Sequence, residues 1–322
     1  MADYWVWCPS VIRGEDGRFC MFASRWPKSI PFHPGWLTSS EVVLAVADTA
    51  VGPYEFQQVI LPARGAEYWD GCATHNSRIV RYGGGYALFY TGMTHPFSGV
   101  QPHEGLDLSD PRVITARASK RVGVALAERL SGPWRRLDAP VLPTKPGTFY
   151  SFLTSNPAPC VSEDGSVRLI FKARSYVGHV HGPMHLGVAH ARTIEGPYEI
   201  LSAGSIFSPD RLGEIEDPFV WRSGTGYELI AKDMTGKLCG EYHGGMHAWS
   251  PDGVEWQLHA QPKAYSRMLR WDDGTVQNMG ALERPFLLIE NDRPTHLFAA
   301  VADGPGGFAH AHRTWNAAIP LG

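Results

Sequence analysis

The chain has 322 residues, 43% of them hydrophobic, which is enough to bury a sizeable core. Its 29 basic and 32 acidic residues leave a net charge of −3 with no basic run or arginine-rich arm, so nucleic acid is not an expected partner. No stretch approaches the ~18 apolar residues of a membrane span, and the opening segment lacks the charged and apolar regions of an export signal.

The expected setting is therefore the cytoplasm, with no membrane partner. Five cysteines (Cys8, Cys20, Cys72, Cys160 and Cys239) are scattered without a CxxC pair, which argues for reduced thiols and against a cysteine-based zinc site. Gly (35) and Pro (25) are frequent, as expected for many turns between short strands.

One plan recurs five times: a dipeptide, usually a proline, an apolar run, a turn and a second apolar run. The first copy spans 7–26 and turns at Asp16-Gly17; the second spans 75–92 and turns at Gly83-Gly84-Gly85. The third spans 155–174 around Asp164-Gly165, and the fourth spans 216–233 around Gly224-Thr225-Gly226. The fifth, 283–303, turns at Asn291-Asp292. All are hairpin chemistries. A third strand follows, and in segments 43–56, 123–137 and 187–200 it runs into Gly-Pro-aromatic, a turn towards a short outer strand. The fourth copy, 246–258, turns at Asp252-Gly253 instead. Helical periodicity is almost absent.

This pattern predicts an all-β fold, a five-bladed β-propeller forming one domain over 1–322, with four strands per blade. Inner strands are expected to start near residues 9, 77, 157, 218 and 285. A β-sandwich or jelly roll is the alternative, but the period of roughly 65 residues is too long for one hairpin and suits one blade.

In a propeller the residues opening the inner strands converge on the axis. These are Trp7-Cys8, His75-Asn76, Ser155-Asn156, Glu216-Asp217 and Glu283-Arg284, a polar and acidic ring where a structural core would be aliphatic. The returning second strands bring Arg25-Trp26, Lys172, Arg174, Lys232 and Asp233 to the same face. Four basic residues on one rim suit an anionic group on a substrate; equally, they suit pairing with Glu216, Asp217, Asp233 and Glu283.

The blade plan, the Gly-Pro-aromatic turns and the segment Ile215-Glu216-Asp217-Pro218-Phe219 resemble the five-bladed propeller glycoside hydrolases of families 43 and 117. The resemblance spans the chain as architecture. It implies that Glu216, two residues before a proline at the opening of the fourth blade, stands where family 43 keeps its general acid. The family's base, an Asp-Pro opening the first blade, is replaced by Cys8-Pro9, and its tuning aspartate in the third by Asn156-Pro157.

A replacement base is then needed. Asp70, in the loop Tyr68-Trp69-Asp70-Gly71 before the second blade, is the candidate, with a turn aspartate as the competing reading. Glu216 and Asp70 are expected to act across the bond, with Asp217 and Glu283 tuning their protonation; Arg284 beside Glu283 should keep that carboxylate ionised. The expected sugar contacts are Arg25, Trp26, His75, Asn76, Asn156, Lys172, Arg174, Asp233, His247 and Arg284, His247 also being a candidate acid by resemblance to family 117.

The resulting expectation is an exo-acting hydrolase of a short oligosaccharide from a plant or algal polysaccharide. A non-catalytic sugar-binding propeller and a glycoside phosphorylase or lyase are the alternatives. No cofactor is required; a structural or axial metal such as calcium is compatible, as is a homo-oligomer.

Overall fold

The computed structural model describes residues 1–304 and 307–321. Blade 1 is built from β1 (Tyr4–Arg13), β2 (Phe19–Pro27), β3 (Glu41–Ala47) and β4 (Glu55–Leu61), with helix α1 (Phe32–Ser39) between its second and third strands. Blade 2 follows with β5 (Ala73–Tyr82), β6 (Gly85–Met93), β7 (Arg121–Ala127) and β8 (Arg135–Arg136), interrupted by α2 (Pro111–Ser119). Blade 3 comprises β9 (Leu153–Val161), β10 (Val167–Val177), β11 (Val180–Ala191) and β12 (Glu199–Ile200). After α3 (Pro209–Leu212), blade 4 takes β13 (Ile215–Ser223), β14 (Gly226–Asp233), β15 (Gly245–Ser250) and β16 (Gln257–Tyr265). A hairpin of β17 (Met268–Arg270) and β18 (Val276–Asn278) leads to blade 5, made of β19 (Ala281–Glu290), β20 (Arg293–Ala302) and β21 (Thr314–Pro320).

Five antiparallel sheets stand around one axis as a five-bladed β-propeller, the architecture that the repeat predicts. Two details differ from expectation. Blade 5 has three strands among the described residues instead of four. The inner strands begin at Tyr4, Ala73, Leu153, Ile215 and Ala281, upstream of the expected starts, because the recurring dipeptide lies inside each strand.

The Gly-Pro-aromatic turns have a common construction. Gly52, Gly132 and Gly196 adopt φ of 94°, 86° and 93°, a region closed to most side chains. The aromatic then reaches back to the carbonyl four residues before it. Tyr54 Oη donates to Ala50 O at 2.9 Å, Trp134 Nε1 to Leu130 O at 3.2 Å and Tyr198 Oη to Ile194 O at 2.9 Å. Three turns of one sequence pattern thus close with the same bond.

The faces of neighbouring blades bury the core. Phe89, Val124, Leu169 and Phe171 fill the space between blades 2 and 3, while Leu186, Val188, Leu229 and Met246 fill that between blades 3 and 4. On the axial face, α1 packs against α2, and together they wall one side of a central cavity.

Candidate active site

Each innermost strand slips in register with its neighbour at the same place. The slips fall between Trp7 and Ser10, His75 and Arg78, Ser155 and Ala158, Glu216 and Phe219, and Glu283 and Phe286. Within each bulge one residue has positive φ: Cys8 57°, Asn76 55°, Asn156 48°, Asp217 58° and Arg284 57°. Asn and Asp tolerate this backbone, whereas Cys and Arg pay a steric penalty. Proline follows Cys8, Asn156, Asp217 and Arg284; lacking an N–H, it fits a bulge without forfeiting a ladder bond.

The bulges turn these five side chains into one belt, as bulges beside functional sites commonly do. Cys8 Sγ donates to Asn76 Oδ1 at 2.9 Å, and Asn76 Nδ2 to Asn156 Oδ1 at 2.6 Å. Asn156 Nδ2 donates to Asp217 Oδ1 at 2.7 Å, and the Arg284 guanidinium is ion-paired with Asp217. Every blade supplies one member.

From this belt Arg284 reaches into a cavity of about 300 Å³, at the small end for ligand sites. Six cationic side chains line it (Arg117, Lys120, Lys172, Arg174, Lys232 and Arg284) against two carboxylates, Glu216 and Glu283. Trp36 and Phe308 add aromatic surface.

The lining charges are tightly connected. Lys232, 2% exposed, lies 2.9 Å from Glu216, 2.8 Å from Glu283 and 3.6 Å from Asp217. Glu216 also pairs with Lys172, and Arg284 approaches it at 4.0 Å. Arg174 meets Glu214 at 3.4 Å. Arg117 and Lys120 join none of these ion pairs; Lys120 Nζ instead sits 4.6 Å from the centre of the Trp36 ring.

Burial and charge separate the two carboxylates. Burial pushes the Glu216 carboxyl up, but Lys172, Lys232 and Arg284 outweigh it and hold the group well below the usual carboxylate range. Burial pushes Glu283 up and prevails, opposed by Lys232 and reinforced by Asp217 and Glu216. Glu283 is thus the carboxyl that retains its proton more readily, the reverse of the expectation drawn from its neighbour Arg284. Among the bases, burial brings Lys172 down to about 8 against the pull of Glu216. Burial, then Lys172, Arg284 and Arg117, lowers Lys120 well below an ordinary lysine. The cavity carries more positive charge than it comfortably holds.

The expected site residues divide into three groups. Glu216, Glu283, Lys172, Arg174 and Arg284 line the cavity, while Asn76, Asn156 and Asp217 form the belt. His75 is buried against Trp36 at 4.8 Å beneath the lining. The rest lie elsewhere.

Asp70 is fully buried outside the cavity, accepting from Arg64 Nε at 2.7 Å and Tyr90 Oη at 2.7 Å and pairing with Arg136 at 3.3 Å. A carboxylate so occupied cannot activate water in the cavity. Its neighbour Trp69 lies on Gly92 and Gly123, where any side chain would collide with the indole. Arg25 pairs with Glu41 at 2.8 Å between Tyr4 and Phe56, and Trp26 stacks on Phe32 beneath α1. Asp233 accepts from the backbone N–H groups of Thr235, Gly236, Leu238 and Cys239 and so shapes a loop. His247 faces Glu228 and His259 on blade 4; the loop histidine that reaches the cavity is His243.

Sequence reasoning did not single out Arg117, Lys120, His33 and Trp36, which arrive on α1, α2 and their flanks. The belt does not suit an axial calcium ion. Calcium takes six to eight oxygen ligands, whereas the only carboxylate here is paired with a guanidinium.

The ring of five sheets is a fold that solved glycoside hydrolases share. A family 117 glycoside hydrolase of the marine bacterium Zobellia galactanivorans superposes with a TM-score of 0.65 at 15% identity, covering 99% of this chain and 84% of that one. The arabinanase of Bacillus subtilis gives 0.57 at 12% identity, covering 98% and 93%. A GH43 enzyme of Xanthomonas citri complexed with xylotriose gives 0.62 at 14%, covering 100% and 88%. The sequence matches no family model and no curated protein. At such identities the chain is a divergent relative in fold.

Proposed function

We propose that the protein hydrolyses a glycosidic bond of a short oligosaccharide carrying an anionic group, taken end-on into the axial cavity. The observation that carries this reading is the excess of cationic side chains around two carboxylates of opposite protonation tendency. A carboxylate or sulfate on the sugar relieves the mutual repulsion of Arg117, Lys120 and Lys172. Glu283 donates its proton to the departing glycosidic oxygen as ionised Glu216, which shares Lys232 with it and so stands too near to leave room for a water between, bonds to the anomeric carbon. Water then displaces Glu216 from that carbon and returns a proton to Glu283. The small volume supports removal of an end unit. The fold shared with glycoside hydrolases, one of them complexed with xylotriose, favours a sugar over other anions.

The test is product analysis on a panel of uronate-bearing and sulfated di- and trisaccharides, with Glu283→Gln and Glu216→Gln beside the wild type. Each variant should lose about a hundredfold or more in kcat, since a positioned acid contributes about 10²–10⁴-fold. Undiminished turnover in Glu283→Gln sinks the assignment.

A second reading has its own support. Among the described residues no third carboxylate lines the cavity, the corresponding belt members of blades 1 and 3 being Cys8 and Asn156. A phosphorylase needs no base, because phosphate itself attacks, and surplus cations would hold it. Repeating the panel with inorganic phosphate distinguishes the two: sugar 1-phosphate in place of the free sugar identifies phosphorolysis.

A further inference from the structure

Two imidazoles and a carboxylate meet on blade 4, away from the axial cavity. Glu228 on β14, His247 on β15 and His259 on β16 come from three successive strands of one sheet. Glu228 Oε2 lies 3.0 Å from His247 Nε2 and 2.9 Å from His259 Nε2. The two rings stack with centroids 4.0 Å apart, and all three ligand atoms fall within 4.8 Å of one another. Among the described residues no other trio of His, Cys, Asp or Glu converges in this way.

We propose that this trio is a binding site for one borderline divalent transition-metal ion, of which zinc is the representative. The geometry needs little adjustment. Zinc bonds nitrogen and oxygen at about 2.0–2.1 Å, so neighbouring ligand atoms of a tetrahedral site stand roughly 3.3 Å apart. The two oxygen–nitrogen separations are a few tenths of an ångström shorter than that and the two ring nitrogens lie within 4.8 Å of each other, so a cation entering between the three pushes the carboxylate outward. Two imidazoles and one carboxylate form a donor set suited to zinc, cobalt or nickel, with a fourth position open to water. Calcium and magnesium are disfavoured, because only one side chain offers oxygen.

The site is also held in place. Trp221 on the adjoining β13 stacks on the His247 ring at 5.8 Å and 17°, limiting its rotation. All three ligands rise from paired strands, which hold geometry better than loops do. All remain partly exposed, so an ion can enter from solvent.

The ion's role follows from the strands it joins. β16 is the outermost strand of blade 4, and most of its residues are exposed. Metal coordination ties it to β14 and β15, a clip on the sheet remote from the sugar chemistry. Glu228 is four residues before Lys232 on the same strand, about 13 Å along it. None of the three ligands lines the axial cavity.

The test uses the purified full chain, freed of metal with chelator and titrated with zinc chloride in a calorimeter. One zinc ion should bind per chain, and Co²⁺ in its place should give the intense visible absorption of a low-coordinate site. His259→Gln and Glu228→Gln should each weaken zinc binding at least tenfold, whereas His179→Gln, in an exposed loop, should leave it unchanged. Thermal unfolding of the wild type should shift upward with zinc, and that of His259→Gln should not. The proposal is overturned if the wild type shows no saturable zinc binding below about 100 µM, or if both ligand variants bind as the wild type does. Should a variant fail to fold, the cobalt spectrum of the wild type decides: octahedral, weak bands count against the site.

Discussion

At the scale of single residues, the site is governed by which charges are neutralised by partners and which are not. Asp70 and Glu216 are both buried and ion-paired, Asp70 with two cations and Glu216 with three, yet only Glu216 faces a space that a ligand can enter. Replacing Asp70 by Asn leaves Arg64 and Arg136 without their common anion and should cost about 3 kcal/mol of stability. Denaturant unfolding measures that loss, and a glycosidase assay on the folded fraction should show kcat retained. A hundredfold loss of kcat instead would return Asp70 to the chemistry. Lys172 supplies a second prediction. With its pKa near 8, it is largely neutral above that pH. A bound anion favours the charged form, so glucuronate binding at pH 8.5 should take up protons, and affinity should fall as pH rises through 8. Calorimetry in buffers of different ionisation heat reads the uptake directly; no buffer dependence would remove Lys172 from the site. Glu216, Glu283 and Arg284 were legible in the sequence because repeat position alone fixes their place. The role of Asp70 was not, because its partners Tyr90 and Arg136 are 20 and 66 residues away.

At the scale of elements, strands were readable and helices were not. Turn residues such as Asp164-Gly165 and Gly224-Thr225-Gly226 mark β-hairpins by their own conformational needs, and they close β9 onto β10 and β13 onto β14 as expected. Helix α2 buries only Val113 and Ala116, too little for a periodic signal, although Asp110-Pro111 is a capping pair at its start. That cap bears on function. Asp110 accepts from Arg112 N at 2.8 Å and pairs with the Arg112 guanidinium at 2.8 Å, fixing the helix that ends in Arg117, Ser119 and the capping Lys120. Asp110→Ala should cost the helix about 1 kcal/mol. Because α2 stands at the rim, the thermal midpoint should move little while affinity for glucuronate falls several-fold. Equal affinity in the variant would mean that α2 is held by its packing on α1 alone.

At the scale of the molecule, each blade is a continuous stretch of chain, and among the described residues no strand of blade 1 enters the sheet of blade 5. The first and last blades meet through side contacts: Val6 N donates to Thr314 Oγ1 at 3.0 Å, and Arg13 faces Glu290 at 3.7 Å. The cavity draws Glu283 and Arg284 from blade 5 and Lys172 from blade 3, so it exists only when the ring has closed. Blades pair locally and can form early, whereas closure joins residues hundreds of positions apart. In refolding from denaturant, far-ultraviolet circular dichroism should therefore recover before ligand binding does. Simultaneous recovery of both signals would show that the blades have no structure before closure.

The left-handed backbone at the five belt positions means that this protein has surrendered stability in order to aim its side chains. A residue held in such a region costs on the order of 1–3 kcal/mol, and the cost is steepest for Cys8 and Arg284, whose side chains gain nothing locally from that conformation. Such positions are where a more robust protein is easiest to find and where robustness trades against function. Cys8→Asn offers a tolerant residue that can still donate to Asn76, and it should raise the thermal midpoint by a few degrees. Arg284→Asn should relieve the same strain but strip Asp217 of its guanidinium and the cavity of a cation, so any gain in stability is lost with the site. If Cys8→Asn melts below the wild type, the bulge is held by the thiol itself, and the strain lies elsewhere in the ring.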